Sequence, residues 1–195
     1  MYTFLLTIQG VSINAVTQPP FHLENVLLGF LWQGPQYGYQ LHQMLSDLSG
    51  LGLIWRVKQS HVYALLEKLE KAGFVSSKVG PGRGETLPPR RNYTLTEMGR
   101  AAYRSWLESP VARPHQMRQE FLAKLHFALQ DSPETTHQLI DRQWQAYKDW
   151  LVHLEARRQA AVDSPRFEQM VLRYRIGQVQ AILSWLETVK KDLLV

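Results

Sequence analysis

The run Gln59-Ser60-His61-Val62-Tyr63-Ala64-Leu65-Leu66-Glu67-Lys68-Leu69-Glu70-Lys71-Ala72-Gly73-Phe74-Val75 places Val62, Leu65, Leu66 and Leu69 at spacings of three and four. That is the period of a helix with one apolar face. Ser60 is the expected N-cap, and Gly73 stands just past the last turn, where a residue without a Cβ commonly ends a helix. Phe74, Val75 and Val79 then read as a strand, Gly80 to Pro89 as a loop of glycine, proline and charge, and Arg91 to Leu95 as a returning strand. Thr96 offers an N-cap to a further helix carrying Met98, Ala101, Ala102, Tyr103 and Trp106. A short helix followed by a basic hairpin, framed by a second helix, has the outline of a winged helix.

Upstream, Leu23, Val26, Leu27, Phe30 and Leu31 share a helical face that Gln33-Gly34-Pro35 ends. Leu41, Met44, Leu45 and Leu48 predict a second helix, broken by Ser49-Gly50-Leu51-Gly52, and a segment with Trp55 and Val57 leads into the third. Helices two and three form a helix-turn-helix, joined by a connection longer than the usual three or four residues. Its third helix is the one that would lie in a major groove.

Downstream of Glu108, Ser109-Pro110 through Arg113-Pro114 reads as a linker. Three helical segments follow. Phe121, Leu125 and Ala128 define the first, and Ile140, Trp144, Tyr147, Leu151 and Leu154 define the second with an alternating four-three step that suits a coiled-coil seam. Asp131-Ser132-Pro133 and Asp163-Ser164-Pro165 each supply a polar cap followed by proline at the first helical position. The last helix shows Phe167, Val171, Tyr174, Ile182, Leu186, Val189 and Leu193 on one face and Leu172, Ile176, Val179 and Leu183 on another. One partner helix cannot cover both, so a second subunit is expected on the first face.

The stretch from Val62 to Val75, with Arg91-Asn92-Tyr93-Thr94-Leu95-Thr96-Glu97-Met98-Gly99 behind it and Gly38-Tyr39-Gln40-Leu41 ahead, resembles the PadR-like family of winged helix-turn-helix transcriptional regulators. Glu120-Phe121-Leu122-Ala123-Lys124-Leu125 and the aromatic helix from Trp144 to Leu154 resemble that family's C-terminal domain of the virulence-activator type. The resemblance runs from Leu23 to the C-terminus and implies a mainly α protein, with a winged helix-turn-helix domain with a two-stranded wing over 22–109 and a helical dimerisation domain over 114–195; the arm over 1–21 precedes it and lies outside the resemblance. It also implies a homodimeric, sequence-specific DNA-binding regulator, a repressor acting on inverted-repeat operators in the cytoplasm. The alternative is a winged-helix module that binds another protein, since fold alone does not fix function.

Composition agrees with either reading. The chain of 195 residues is 45% apolar, enough for a packed core, and its formal charge of +5 suits a polyanionic partner without requiring one. Lys78, Arg83, Arg90 and Arg91 concentrate cations in or beside the wing, opposed there only by Glu85. Because the apolar face of the third helix must turn inward, Gln59, Ser60, His61 and Tyr63 are left to approach DNA. Tyr63 resembles the family's recognition-helix tyrosine; it either contacts DNA or caps the domain core. Of Arg90 and Arg91, one can instead serve the hairpin.

No cysteine is present, which excludes disulfides, thiolate metal sites and thiol redox sensing. The seven histidines include no pair four apart and no His-Glu-x-x-His, so no metal or other cofactor is expected. Gly80-Pro81-Gly82-Arg83-Gly84 lacks the Lys-Ser/Thr of a phosphate loop, and no nucleophile-base constellation argues for an enzyme. Tyr2 to Ile8 is apolar but lacks a basic flank, and Gln9, Ser12 and Asn14 interrupt it, so neither an export signal nor a membrane span is read. Trp144, Trp150 and Trp185 could line a pocket for a small aromatic effector; packing in the helical core is the competing explanation.

Overall fold

The computed structural model describes residues 22–80 and 90–193, so the expected arm over 1–21, Arg83 and Glu85 lie outside the described residues. The first half runs α1 (His22–Trp32), β1 (Gln36–Tyr37), α2 (Gly38–Ser46), a 3-10 turn (Leu51–Leu53), α3 (Gln59–Lys71), β2 (Val75–Gly80), β3 (Arg90–Leu95) and α4 (Glu97–Glu108). The hairpin is antiparallel with Lys78 opposite Asn92 and Val75 opposite Leu95. β1 extends it to a three-stranded sheet in the order β1-β3-β2, pairing Gln36 with Tyr93. The wing itself is two-stranded as expected; the third strand is an addition that two residues of sequence could not announce.

Helix ends follow local chemistry. Gly73 takes φ +79°, the left-handed conformation that ends α3. Thr96 Oγ1 accepts from the Gly99 amide at 3.1 Å and donates to the Gly73 carbonyl at 2.7 Å, so one hydroxyl caps α4 and ties it to the end of α3. Gly99 allows α4 to lie directly on the Phe74 carbonyl, which a Cβ at that position would meet at 2.0 Å. Ser60, however, is not the N-cap. Lys58 is extended at φ −72°, ψ 144°, and its carbonyl already accepts from the His61 and Val62 amides, so Ser60 sits within the first turn.

The second half comprises α5 (Pro114–Gln116), a π-helical turn (Met117–Phe121), α6 (Leu122–Asp131), α7 (Pro133–Ala160) and α8 (Arg166–Asp192). Ser132 caps α7 by accepting from the Thr135 amide at 3.1 Å, with Pro133 at the first helical position. At α8 the expectation needs correcting by one residue: Pro165 is itself the N-cap, at φ −51°, ψ 141°, and the helix begins at Arg166. The Lys190–Asp141 ion pair, the Trp144 indole on Glu187 and the Arg157–Glu168 pair fix α7 and α8 as an antiparallel hairpin. Ile140, Tyr147 and Leu154 bury the α7 seam against that partner.

Two consequences bear on assembly. Leu186 was expected on the outward face of α8 with Phe167 and Tyr174, but it is fully buried within the chain. Seven-residue steps from Leu172 through Val179 place it on the stripe that faces α7. Phe167 and Tyr174 remain 77% and 66% exposed, with Met170 beside them, while Val171, Ile182 and Val189 are half-buried. The two halves also share one core. Phe127 of α6 stacks edge-on against Phe30, Tyr103 and Trp106 at 5.3 to 6.2 Å, and it occupies the space over Gly29 that a Cβ would need. Among the described residues no helix is long and apolar enough to cross a membrane.

Candidate nucleic-acid interface

α3 divides cleanly into two faces. Val62, Leu65, Leu66 and Leu69 are buried, whereas Gln59, Ser60, His61, Ala64 and Glu67 are exposed. No side chain caps the N-terminal end, so its first amides face outward with the positive end of the helix dipole. Support comes from below: Lys68 Nζ reaches the buried carboxylate of Glu24 at 2.8 Å, pinning α3 to α1. The segment before the helix is held by His42, whose Nε2 lies 3.0 Å from the Val57 carbonyl.

That segment adds cations that the reading of the helix alone did not single out. Arg56 and Lys58 are exposed and line one shallow concavity with Leu23, Val57, Ser60 and His61, on the same side as the start of α3. Their signal in the sequence was only adjacency to Gln59. From Gln59 to Leu66 the helix carries no acidic residue. The exposed start of α3 is therefore an uncapped helix end flanked by two cations, a setting suited to phosphate.

Tyr63 is 41% exposed, and its ring also covers the backbone of Gly38, where a Cβ would come within 2.5 Å of the ring. Both readings of this tyrosine thus have a basis, packing on one edge and an open edge beyond it. Tyr37 and Tyr39, on either side of Gly38 in sequence, stack at 6.0 Å, and Arg90 lies 5.1 Å over the Tyr39 ring. The start of α2 is legible as Gly38-Tyr39-Gln40-Leu41, but the placement of Tyr37 and Tyr39 depends on β1, whose pairing with β3 brings them to the wing.

Arg90 and Arg91 do not act as a unit, because neighbours in a strand point to opposite faces. Arg91 Nη1 lies 3.3 Å from Glu70 Oε2, and Glu70 Oε1 also accepts from the Ser77 amide and hydroxyl at 3.1 and 2.6 Å. Glu70 therefore staples the wing to α3. Burial pushes the Tyr93 phenol up from its ordinary range, with the Arg91 guanidinium opposing that shift. Lys78 is exposed on β2.

The other candidate residues scatter. The tryptophans considered for an effector pocket are engaged separately: Trp144 with Glu187 and under Lys148, Trp150 on Tyr147, and Trp185 on Phe121. A concavity instead opens between α1, α4 and α7, lined by Trp32, Tyr103, Leu107, Arg104 and Arg142 among others.

Comparison with known proteins adds to this geometry. Residues 27–105 match the family described as Transcriptional regulator PadR-like family, and residues 117–193 match Virulence activator alpha C-term. Over 176 residues the chain is 27% identical to the negative transcriptional regulator PadR of Bacillus subtilis (strain 168), an alignment covering 86% of this chain and 94% of that protein. Similar solved structures include Bacillus subtilis PadR in complex with operator DNA, at 26% identity, 88% and 98% coverage and a TM-score of 0.46. A PadR-like transcriptional regulator from Bacillus cereus is similar at 20% identity, 91% and 98% coverage and a TM-score of 0.41.

Proposed function

Because the chain belongs to the PadR-like family of transcriptional regulators, we propose that it represses transcription from the cytoplasm by binding double-stranded operator DNA as a homodimer. The observation that carries this reading is the outward start of α3, where Gln59, Ser60, His61 and Tyr63 stand beside Arg56 and Lys58 with no acidic side chain among them. The helix end enters the major groove, its glutamine pairs with a base edge, and Lys78, Arg83, Arg90 and Arg91 of the wing neutralise flanking phosphates. Phe167, Met170 and Tyr174 form the exposed apolar stripe on α8 that a second copy covers. Twofold symmetry then demands two inverted half-sites.

Repression is the mode because the relative is a negative regulator by name and a dimer seated on an operator excludes other proteins from it. A protein-interaction module without DNA binding is disfavoured by the cationic, uncapped start of α3. The test is a mobility-shift titration against competitor DNA. Gln59→Ala and Tyr63→Ala are expected to reduce preference for operator over random duplex by roughly 1 to 3 kcal/mol per lost base contact. Equal preference in parent and variants would reject the assignment of the reading helix.

The effector class follows a different observation. We propose that a small aromatic effector enters the concavity between α1, α4 and α7, where Trp32, Arg104 and Arg142 line the space together with the carboxylates of Glu108 and Asp131. Titration of small aromatic compounds, acidic and neutral, against tryptophan fluorescence tests this, and a response that survives Trp32→Ala with Arg104→Ala would refute it.

A further inference from the structure

The segment joining the two halves is held too firmly to act as a hinge. Val111 donates its amide to Gln143 Oε1 at 2.7 Å, and Gln143 Nε2 donates to the Val111 carbonyl at 3.0 Å. Gln143 is fully buried on α7, so it reads one linker residue through both of that residue's backbone groups. A primary amide side chain donates and accepts at once, which matches it to both backbone groups of one residue. Two residues earlier in the linker, Ser109 accepts at its carbonyl from Lys124 Nζ at 2.6 Å, and Glu120 accepts from the Trp106 indole at 3.1 Å and from Gln116 Nε2 at 3.0 Å. These contacts clamp the C-terminal end of α4 to the π-helical turn, α6 and α7, and α7 is the helix on which α8 rests.

Such a clamp matters for a dimer because α4 is a lever. Its twelve residues span about 18 Å, so a tilt of about 10° at the linker moves the far end by roughly 3 Å. That is close to the 3.4 Å rise of one base pair. Thr96 and Gly99, at the far end, are bonded and packed against the end of α3, so the reading helix moves with it.

We propose that Gln143 is a positioning residue for operator recognition: by holding Val111, beside the Phe127 core that the two halves share, it sets the angle at which α4 leaves that core, and with it the separation of the two recognition helices and the spacing of operator half-sites. The proposal rests on the dimeric DNA-binding reading above. Its test uses the full chain, whose lack of cysteine lets a single Lys71→Cys carry one spin label per protomer near the end of α3. The parent is expected to give one narrow inter-label distance and one preferred half-site spacing in a duplex series stepped by single base pairs. Gln143→Leu is expected to broaden the distance and to cut discrimination against neighbouring spacings on the order of tenfold, since misaligned sites lose the gain from linked binding. Affinity for an isolated half-site should not change.

A Gln143→Leu dimer that melts at lower temperature yet keeps the narrow distance and the spacing preference would overturn the proposal. If that variant fails to fold, Gln143→Met, which keeps the length of the side chain and loses both hydrogen bonds, is read by the same two measurements. A parent with no inter-label distance would refute the dimeric reading itself, whereas a parent dimer without a spacing preference would overturn the proposal.

Discussion

Replacing Arg90 and Arg91 by alanine, singly and together, probes the wing as an electrostatic grip. Neither side chain is buried. Arg91 pairs with Glu70 at 3.3 Å with 57% and 29% of the two side chains exposed, so loss of the pair costs at most about 1 kcal/mol of stability. Arg90 loses a partly exposed stacking contact with Tyr39 worth about 0.5 to 1 kcal/mol. All three variants are therefore expected to fold. On B-DNA each lost phosphate contact lowers the magnitude of the salt slope by about 0.9, and the double variant by about 1.8. Across a fourfold rise from about 50 to 200 mM salt, each such contact corresponds to roughly a 3.5-fold change in affinity. Arg91→Ala should weaken binding more than Arg90→Ala, because it uncovers the Glu70 carboxylate beside the wing. Fluorescence anisotropy with operator and random duplexes over that salt range measures both effects. Phosphate contacts carry no sequence, so both duplexes should lose equally. An unchanged slope, or a loss confined to the operator, would refute the grip.

Four further substitutions address the fold and the assembly. Gly99→Ala, which drives a Cβ to 2.0 Å from the Phe74 carbonyl, should destabilise by about 1 to 3 kcal/mol or more in a urea melt; a neutral result would contradict the packing of α4 on α3. Leu186→Ala should cost about 2 to 5 kcal/mol even at concentrations where the chain is monomeric, while Phe167→Asp should shift sedimentation toward monomer with little change in unfolding. Burial pushes Lys124 down to about 8, with Glu120 opposing, whereas an unfolded lysine titrates near 10.4. Between those values the unfolded chain holds a proton that the folded chain has shed, so this residue's contribution to stability should rise with pH through that window. The rise should vanish in Lys124→Met; its persistence there would assign it to another group.

What the sequence disclosed tracks how local each feature is. The buried face of α3, Gly73 as its terminator and Thr96 as the α4 cap depend on residues three or four apart. The choice between Lys58 and Ser60 as N-cap was not legible, because it is set by where the extended connector turns and not by side-chain preference. β1 was invisible for another reason: two residues carry no period, and their pairing with β3 spans more than fifty positions. Leu186 shows how phase accumulates along a long helix. At about 100° per residue it lies some 100° from Phe167 but only about 40° from Leu172, so grouping by eye over nineteen residues put it on the wrong face. For the site, Gln59 to Tyr63 were legible as the outward end of an amphipathic helix. Arg56, Lys58, Tyr37 and Tyr39 were not, since a connector and a short strand bring them there.

The most direct test is selection of bound duplexes from a random pool by the 195-residue protein, with Gln59→Ala and Tyr63→Ala selected in parallel. The expected result is an inverted repeat whose half-site centres are about 10 base pairs apart or a multiple of that, and altered preference at the contacted positions in the variants. Recovery of no inverted repeat, or of the same motif with the same preference from all three proteins, would contradict it.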